Sequence, residues 1–254
     1  MNAQRKENQP KWAVVLCGGR GSRLGMHTHN LPKSLVDIAG KPILGYIFEE
    51  LIKYGYNRII LPVGYLGEQI AQFSETYPFP AGTECHVRET GVDTPIGSRL
   101  AQVRHLLPNN DDFLLVNGDL IFDFNLADFL QVHRRNQLDI TFASATIHSP
   151  FGLLIHQDGK LTGFTRDEKI QSFNTRQERK IGLIYAGICM MNTRGLDYGD
   201  ISQCENFEAE IFPEIIRMGK AGHFAIEGFW HPVDTPKDLA SVVMLLNYTR
   251  GNNE

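Results

Sequence analysis

The sequence predicts an α/β fold: a single, mainly parallel sheet flanked by helices, with a small antiparallel elaboration in the second half. Three observations predict it. Apolar, β-favouring runs alternate with helical periodicity through the first half, the pattern of βαβ units. After Pro150 the character changes to short strand-like runs separated by polar turns. No linker rich in Gly, Ser or Pro, no repeat and no low-complexity segment interrupts the chain. One domain over residues 12–254 is therefore expected, behind a polar, disordered tail at 1–11.

Each element has a local reason. Trp12 to Leu16 is short, apolar and β-favouring, a buried strand. From Ile43 to Tyr54, apolar residues recur four apart (Ile43, Ile47, Leu51 and Leu44, Phe48, Ile52), the stripe of a helix that Gly55 stops. Arg58 to Val63 is a second strand, Leu66 to Phe73 a short helix, and Tyr77 to Gly82, with two prolines, a loop before the strand Glu84 to Arg88. Gly97 opens a helix through Leu107. Phe113 to Val116 is a strongly apolar strand ending in Asn117-Gly118-Asp119. Asn125 caps a helix over Leu126 to Arg135, and Ile140 to Ala145 is another strand. Antiparallel strands within Phe151 to Asn192 are expected to cover one end of the sheet. A helix over Glu208 to Met218, a short strand over Phe224 to Gly228 and a last helix from Lys237 to about Thr249 complete the chain, with Pro236 at the start of that helix.

Composition excludes several classes. Hydrophobic residues make 42% of the chain, enough for a core, and the formal net charge is −4 with no long basic run. Duplex binding leans on clustered Lys and Arg, so nucleic acid is not an expected partner. None of the four cysteines (Cys17, Cys85, Cys189, Cys204) forms a C-x-x-C pair, which disfavours zinc ribbons and thioredoxin chemistry and suits a reducing compartment. Neither a signal-peptide core nor an apolar run of membrane-spanning length occurs, so a cytoplasmic protein is expected.

The chemistry gathers first at Leu16-Cys17-Gly18-Gly19-Arg20-Gly21-Ser22-Arg23-Leu24. Glycines reach positive φ at little cost and let backbone N–H groups approach a ligand closely, so such a loop is either a tight strand-to-loop turn or a donor nest for phosphate. Arg23 and Lys33 add a planar donor fork and a point charge beside it, both suited to polyphosphate. The dinucleotide pattern is only half met, because Leu24 stands where a third glycine belongs, and no Walker Gly-Lys-Ser/Thr is near. Two carboxylates follow strand-like runs, Asp119 and Asp234. Carboxyl ends of parallel strands are where such sheets bind ligands, so the pair either holds one Mg²⁺ with phosphate oxygens or serves as a turn residue and a helix cap. Asp123 reads as a turn or capping residue, His133 as structural, and His27 and His29 are not read as metal ligands.

Gly18-Gly19-x-Gly21-Ser22-Arg23-Leu24, then Thr28, then Pro32-Lys33, resembles the signature of the sugar-1-phosphate nucleotidyltransferases, and the spacing from Gly18 to Lys33 fits without a gap. Gly118-Asp119 and Val233-Asp234-Thr235 resemble the two metal-carboxylate motifs of that family. The resemblance runs from about Trp12 to about Leu246. It implies a Rossmann-like, GT-A-like sheet and a reaction in which a sugar 1-phosphate attacks the α-phosphorus of a nucleoside triphosphate with Mg²⁺ as cofactor. It implies Arg23 on the leaving β- and γ-phosphates, Lys33 on the α-phosphate, and Asp119 and Asp234 on the metal. Leu16, Gly18, Gly19, Gly21, Ser22 and Gly118 would border the nucleotide. A third lysine, which the family carries in a Phe-x-Glu-Lys-Pro stretch, would hold the sugar phosphate. The nearest match is Phe164 to Ile170, which nominates Lys169 although the spacing is longer and the proline is missing.

Within the family, Gly40-Lys41-Pro42-Ile43-Leu44, Thr94-x-x-Gly97-x-Arg99 and Gly228-Phe229-Trp230 resemble the glucose-1-phosphate cytidylyltransferases. That branch uses the second segment near the nucleotide, which makes Thr94, Gly97 and Arg99 candidate phosphate or base contacts. The stretch between Phe73 and Glu89 is short, more like the manno-heptose-1-phosphate guanylyltransferases. CTP is the expected donor and GTP the next, with a phosphorylated sugar as acceptor and a homo-oligomer as one expectation. A non-sugar phosphorylated acceptor, a GT-A glycosyltransferase and a non-catalytic nucleotide-binding protein stay open as alternatives. The glycosyltransferase reading lacks its Asp-x-Asp, since Leu120 and Ile121 follow Asp119.

Overall fold

The computed structural model describes residues 9–148, 153–157, 160–165, 169–170, 172–174, 179–181 and 183–251. In chain order the elements are β1 (Lys11–Leu16), β2 (Asp37–Ile38), β3 (Lys41–Pro42), α1 (Ile43–Lys53), β4 (Tyr56–Val63), α2 (Gly67–Thr76), β5 (Glu84–Glu89) and α3 (Ile96–Val103). There follow β6 (Asp112–Asn117), β7 (Leu120–Phe124), α4 (Leu126–Arg135), β8 (Ile140–His148), β9 (Leu153–Gln157), β10 (Lys160–Thr165), β11 (Lys169–Ile170), β12 (Ser172–Asn174) and β13 (Arg179–Ile181). The last are β14 (Leu183–Asn192), α5 (Phe207–Arg217), β15 (Ala221–Ala225), β16 (Gly228–Pro232) and α6 (Pro236–Gly251).

The central sheet runs β11-β8-β14-β6-β1-β4-β5, with β15 paired to β8. β6, β1, β4 and β5 are mutually parallel. β1, β6 and the second half of β4 are covered on both faces, which is why they read as continuous apolar runs rather than as alternating ones, whereas β5 at the sheet edge is polar and partly exposed. In β1, Ala13 and Val15 enter the core beneath α1 and Val14 the opposite core beneath α3 and α5. The same split divides β6, with Leu114 and Val116 on the first face and Phe113 and Leu115 on the second. Helix α1 buries Ile43, Leu44, Ile47, Phe48 and Leu51 on the stripe its periodicity predicts. Helix α4 starts where Asn125 accepts from the Ala127 and Asp128 amides at 3.0 and 3.1 Å.

The tertiary structure departs from the sequence reading in five places. β14 does not cover the end of the sheet; it enters its middle, antiparallel to both β6 and β8. The helix that begins near Gly97 stops at Val103 and tightens into a 3₁₀ turn at Arg104–Leu106. Lys11 belongs to the sheet, its ammonium on the Tyr54 carbonyl at 2.8 Å. The short strand expected at Phe224 to Gly228 is two strands, β15 and β16, separated by a break. Finally, residues 120–124 form a strand, and β7 pairs with β16 in an antiparallel ribbon from Gly228↔Phe124 to Pro232↔Leu120. Asp123 is therefore a strand residue, ion-paired to Lys53, and neither turns the chain nor caps a helix. No helix among the described residues is long and apolar enough to cross a membrane. The four cysteines are free thiols.

Candidate active site

The β7–β16 ribbon decides where the two carboxylates go. Asp119 immediately precedes β7 and Asp234 follows β16 by two residues. The register that pairs Leu120 with Pro232 is continued by the Val233 amide, which donates to the Asp119 carbonyl at 2.9 Å. Residues more than a hundred positions apart thus leave the same end of one ribbon. Asp238, in the first turn of α6, accepts from the Asp234 and Thr235 amides at 3.2 and 2.8 Å and fixes the chain direction after Asp234.

Between these carboxylates stands Lys33. Its ammonium donates to Asp119 Oδ2 and to Asp234 Oδ1, each at 2.6 Å. Two 2.6 Å bonds to one nitrogen leave the two oxygens no more than 5.2 Å apart. Arg23 Nη2 reaches the same Asp234 oxygen at 3.0 Å. The lysine side chain is only 11% exposed and the two aspartates about 30%. Its confinement has a backbone cause. Gly21 sits at φ 62°, and a Cβ there would lie 2.8 Å from Lys33 Cβ, so the loop closes over the lysine stem only because that residue is glycine.

The glycine loop, Lys33, Arg23 and the Asn117-Gly118-Asp119 turn line a cavity of about 500 Å³ at the carboxyl ends of β1 and β6. That volume lies within the range of small-molecule sites. Leu16, Gly18, Gly19, Gly21, Ser22, Thr94, Arg99 and Gly118 all border it. At Gly118 a Cβ would stand 2.7 Å from the Leu16 carbonyl and 2.8 Å from Cys17 Sγ, so the turn can lie against the loop only without a side chain. Cys17 below is inert, its thiol pushed up to about 12 by burial.

Two of the expected nucleotide contacts have other duties. Gly97 packs away from the cavity, where a Cβ would meet the Ile201 carbonyl at 2.5 Å and Cys204 Cβ at 3.0 Å. It is a glycine because α3 presses on the 201–204 segment. Arg99 borders the cavity, but its guanidinium faces protein. Nε donates to the Thr94 carbonyl at 2.9 Å. Nη1 donates to the Val63 carbonyl and Thr90 Oγ1 at 3.1 and 2.6 Å. Nη2 donates to the Gly18 and Val92 carbonyls at 3.1 and 3.0 Å. These bonds use all five of its N–H groups, leaving none for a phosphate. Burial draws its pKa down, the nearby Glu89 and Asp93 carboxylates oppose that, and a guanidinium stays charged regardless. Arg99 is thus the tie that holds the glycine loop, the end of β4 and the 90–94 segment together.

Lys169 falls in β11, opposite His148, and its side chain lies outside the described part of the chain. One feature of the rim has no signal in the sequence. Arg20, inside the glycine loop, forms a two-pronged ion pair with Asp93 at 2.8 and 2.9 Å and lies over the Tyr65 ring at 5.3 Å. Its partner is 73 residues away, and only the side-by-side placement of the loops after β1 and β5 reveals it.

The donor set fits a hard divalent cation. Two carboxylates already converge on one positive centre, and Mg²⁺ needs only one or two of them when substrate phosphates and water complete its shell. Among the described residues no group of three or more His, Cys, Asp or Glu could hold a metal by itself, so any ion here would need ligands beyond the protein.

The family model described as nucleotidyl transferase matches residues 12–248. A Bacillus subtilis (strain 168) protein named "Probable glucose-1-phosphate cytidylyltransferase" is 30% identical over 254 residues, covering 92% of this chain and 96% of that protein. A mannose-1-phosphate guanyltransferase of Gibberella zeae is 30% identical over 234 residues, covering 90% of this chain, which spans 62% of that protein's length. Among solved structures, the CTP:phosphocholine cytidylyltransferase of Streptococcus pneumoniae superposes with a TM-score of 0.64 at 22% identity, covering 94% of this chain and 100% of that one. At that identity the likeness is one of fold.

Proposed function

The chain belongs to the nucleotidyl transferase family, and from that premise we propose that it joins a nucleoside triphosphate to a sugar 1-phosphate, giving a nucleotide sugar and pyrophosphate. The observation that carries the reading is the convergence of Lys33, Arg23, Asp119 and Asp234 on one edge of the glycine-loop cavity. Such an array suits phosphoryl transfer, where little covalent work falls to the protein and catalysis is positioning plus charge stabilisation. An oxygen of the sugar phosphate forms the new bond to the α-phosphorus while the bond to the pyrophosphate oxygen breaks. The attacking phosphate is already anionic at neutral pH, so no proton must be removed, and the site needs no nucleophile beside a histidine base.

Lys33 serves the α-phosphate, where negative charge accumulates, and Arg23, exposed at the rim, serves the departing β- and γ-phosphates. The glycine loop presents its backbone to the nucleotide, held in place from beneath by Arg99. Asp119 and Asp234 would hold Mg²⁺, which supplies neutralisation of the phosphate oxygens. Lys169 is assigned to the acceptor phosphate on the motif alone. CTP is the favoured donor and GTP the next, because the chain matches the cytidylyltransferase relative over nearly its whole length, whereas the guanyltransferase extends well beyond it. A cytoplasmic location belongs to the same reading. The test is a matrix of the four nucleoside triphosphates against phosphorylated sugars and phosphocholine, with Mg²⁺ present and pyrophosphate release as readout. CTP or GTP with one sugar 1-phosphate should dominate. Release with phosphocholine alone would replace the acceptor, and no release with any pair would remove the reading.

A further inference from the structure

We propose that Lys33 is an internal counter-ion that makes divalent-cation binding and triphosphate binding depend on each other. The proposal rests on reading this site as a nucleotidyltransferase centre, and it adds a rule about the order and coupling of its ligands. The four charges that reading assigns to the triphosphate and the metal, Lys33, Arg23, Asp119 and Asp234, are already engaged with one another. Lys33 bridges Asp119 and Asp234 at 2.6 Å each, and Arg23 adds a second cation to Asp234 at 3.0 Å. Two positive and two negative groups face one another with no charge in excess. The lysine cannot simply retract, because its stem is packed against Gly21 and its side chain is nearly enclosed.

A divalent cation arriving alone must displace the ammonium from both carboxylates and leave that charge without a partner. A triphosphate arriving alone draws the ammonium away and leaves two carboxylates facing a polyanion. Each single step strands like charges in a partly buried site, where screening is weaker than at the surface. Together the two ligands make a balanced exchange: the cation takes the carboxylates, and the phosphates take Lys33 and Arg23. Each ligand therefore raises the affinity of the other, and by linkage the factor is the same in both directions.

The test uses Mn²⁺ alone, followed by electron paramagnetic resonance on the nucleotide-free full chain, and requires no turnover. Lys33→Met should bind Mn²⁺ on the order of tenfold tighter than wild type. Adding Asp119→Asn should erase the gain, and Lys33→Arg should keep the weak wild-type binding. Lys33→Gln reads the same effect should Lys33→Met fail to fold by circular dichroism. Unchanged or weaker Mn²⁺ binding in a folded charge-removing variant overturns the proposal, as does a gain that survives Asp119→Asn. The wild-type protein offers an independent arm: CTP titrated calorimetrically in EDTA should bind at least about tenfold more weakly than with Mg²⁺. Equal affinity with and without the metal would also overturn it. Tightened Mn²⁺ binding in a protein that releases no pyrophosphate from any substrate pair would keep the counter-ion and remove the catalytic reading instead.

Discussion

Replacing Arg99 with methionine separates a buried tie from a phosphate contact. The guanidinium makes five hydrogen bonds to protein acceptors. Some acceptors keep a second donor: the Val63 carbonyl retains the Thr90 amide at 2.9 Å and its hydroxyl at 2.7 Å, and the Gly18 carbonyl retains the Tyr65 amide at 3.3 Å. The Val92 and Thr94 carbonyls have no other partner among the described residues. Orphaning two acceptors costs roughly 1–3 kcal/mol each, less what is regained by no longer burying a charge, for a net of about 2–4 kcal/mol. With a urea slope of about 3 kcal/mol per molar, the unfolding midpoint should fall by about 1 M. Arg99→Lys should fall nearly as far, because one ammonium cannot span acceptors that a planar fork reaches from both edges. The KM for nucleotide should rise in both variants as the glycine loop loses its support. A wild-type urea midpoint in Arg99→Met, with the defect confined to KM and partly restored by lysine, would refute the argument and return Arg99 to the substrate.

Other substitutions probe the rest of the site. Asp119→Asn and Asp234→Asn should each lower kcat at least about a hundredfold while costing no more than about 1 kcal/mol of stability, since both carboxylates are partly solvated; full pyrophosphate release by either variant counts against the metal assignment. Trp230 donates from its indole to the Ala186 carbonyl at 2.8 Å and tethers the β7–β16 ribbon to β14. Trp230→Ala should destabilise by roughly 2 kcal/mol and lower kcat together, by loosening the ribbon that aims Asp234; unchanged turnover with lowered thermal stability would show that the ribbon needs no such tether. At the far end of the sheet, burial alone would raise the Asp112 carboxyl, but His133, Arg134 and Asn192 more than offset that and hold it well below the ordinary 3.8. Stability from a depressed carboxyl is present above its unfolded value and lost as pH falls. Wild type should therefore weaken as pH drops below about 4, and Asp112→Asn should show a shallower acid limb in urea midpoints measured against pH; superimposable limbs would count against the network.

What the sequence determined by itself was whatever lies within a few residues. The β1 strand, the α1 stripe and the Asn125 cap depend on contiguous residues, and each has the local structure its pattern implies. The two carboxylates were legible as residues that close strand-like runs and as a candidate pair for one ion, but not the pairing of strands that brings them together. How they meet was decided by the tertiary structure, because it follows from the register of a ribbon whose first strand, residues 120–124, pairs with a strand more than a hundred residues further along. The same holds for β14, whose apolar run suits the middle of a sheet as well as its end. It holds also for Thr94-x-x-Gly97-x-Arg99, where the family resemblance could nominate ligand contacts but not which way each residue faces. Lys33 lies 86 and 201 residues from the carboxylates it bridges. Contacts at such separations are set by which strands pair and in what register, a property of the whole sheet that no local run of side chains encodes.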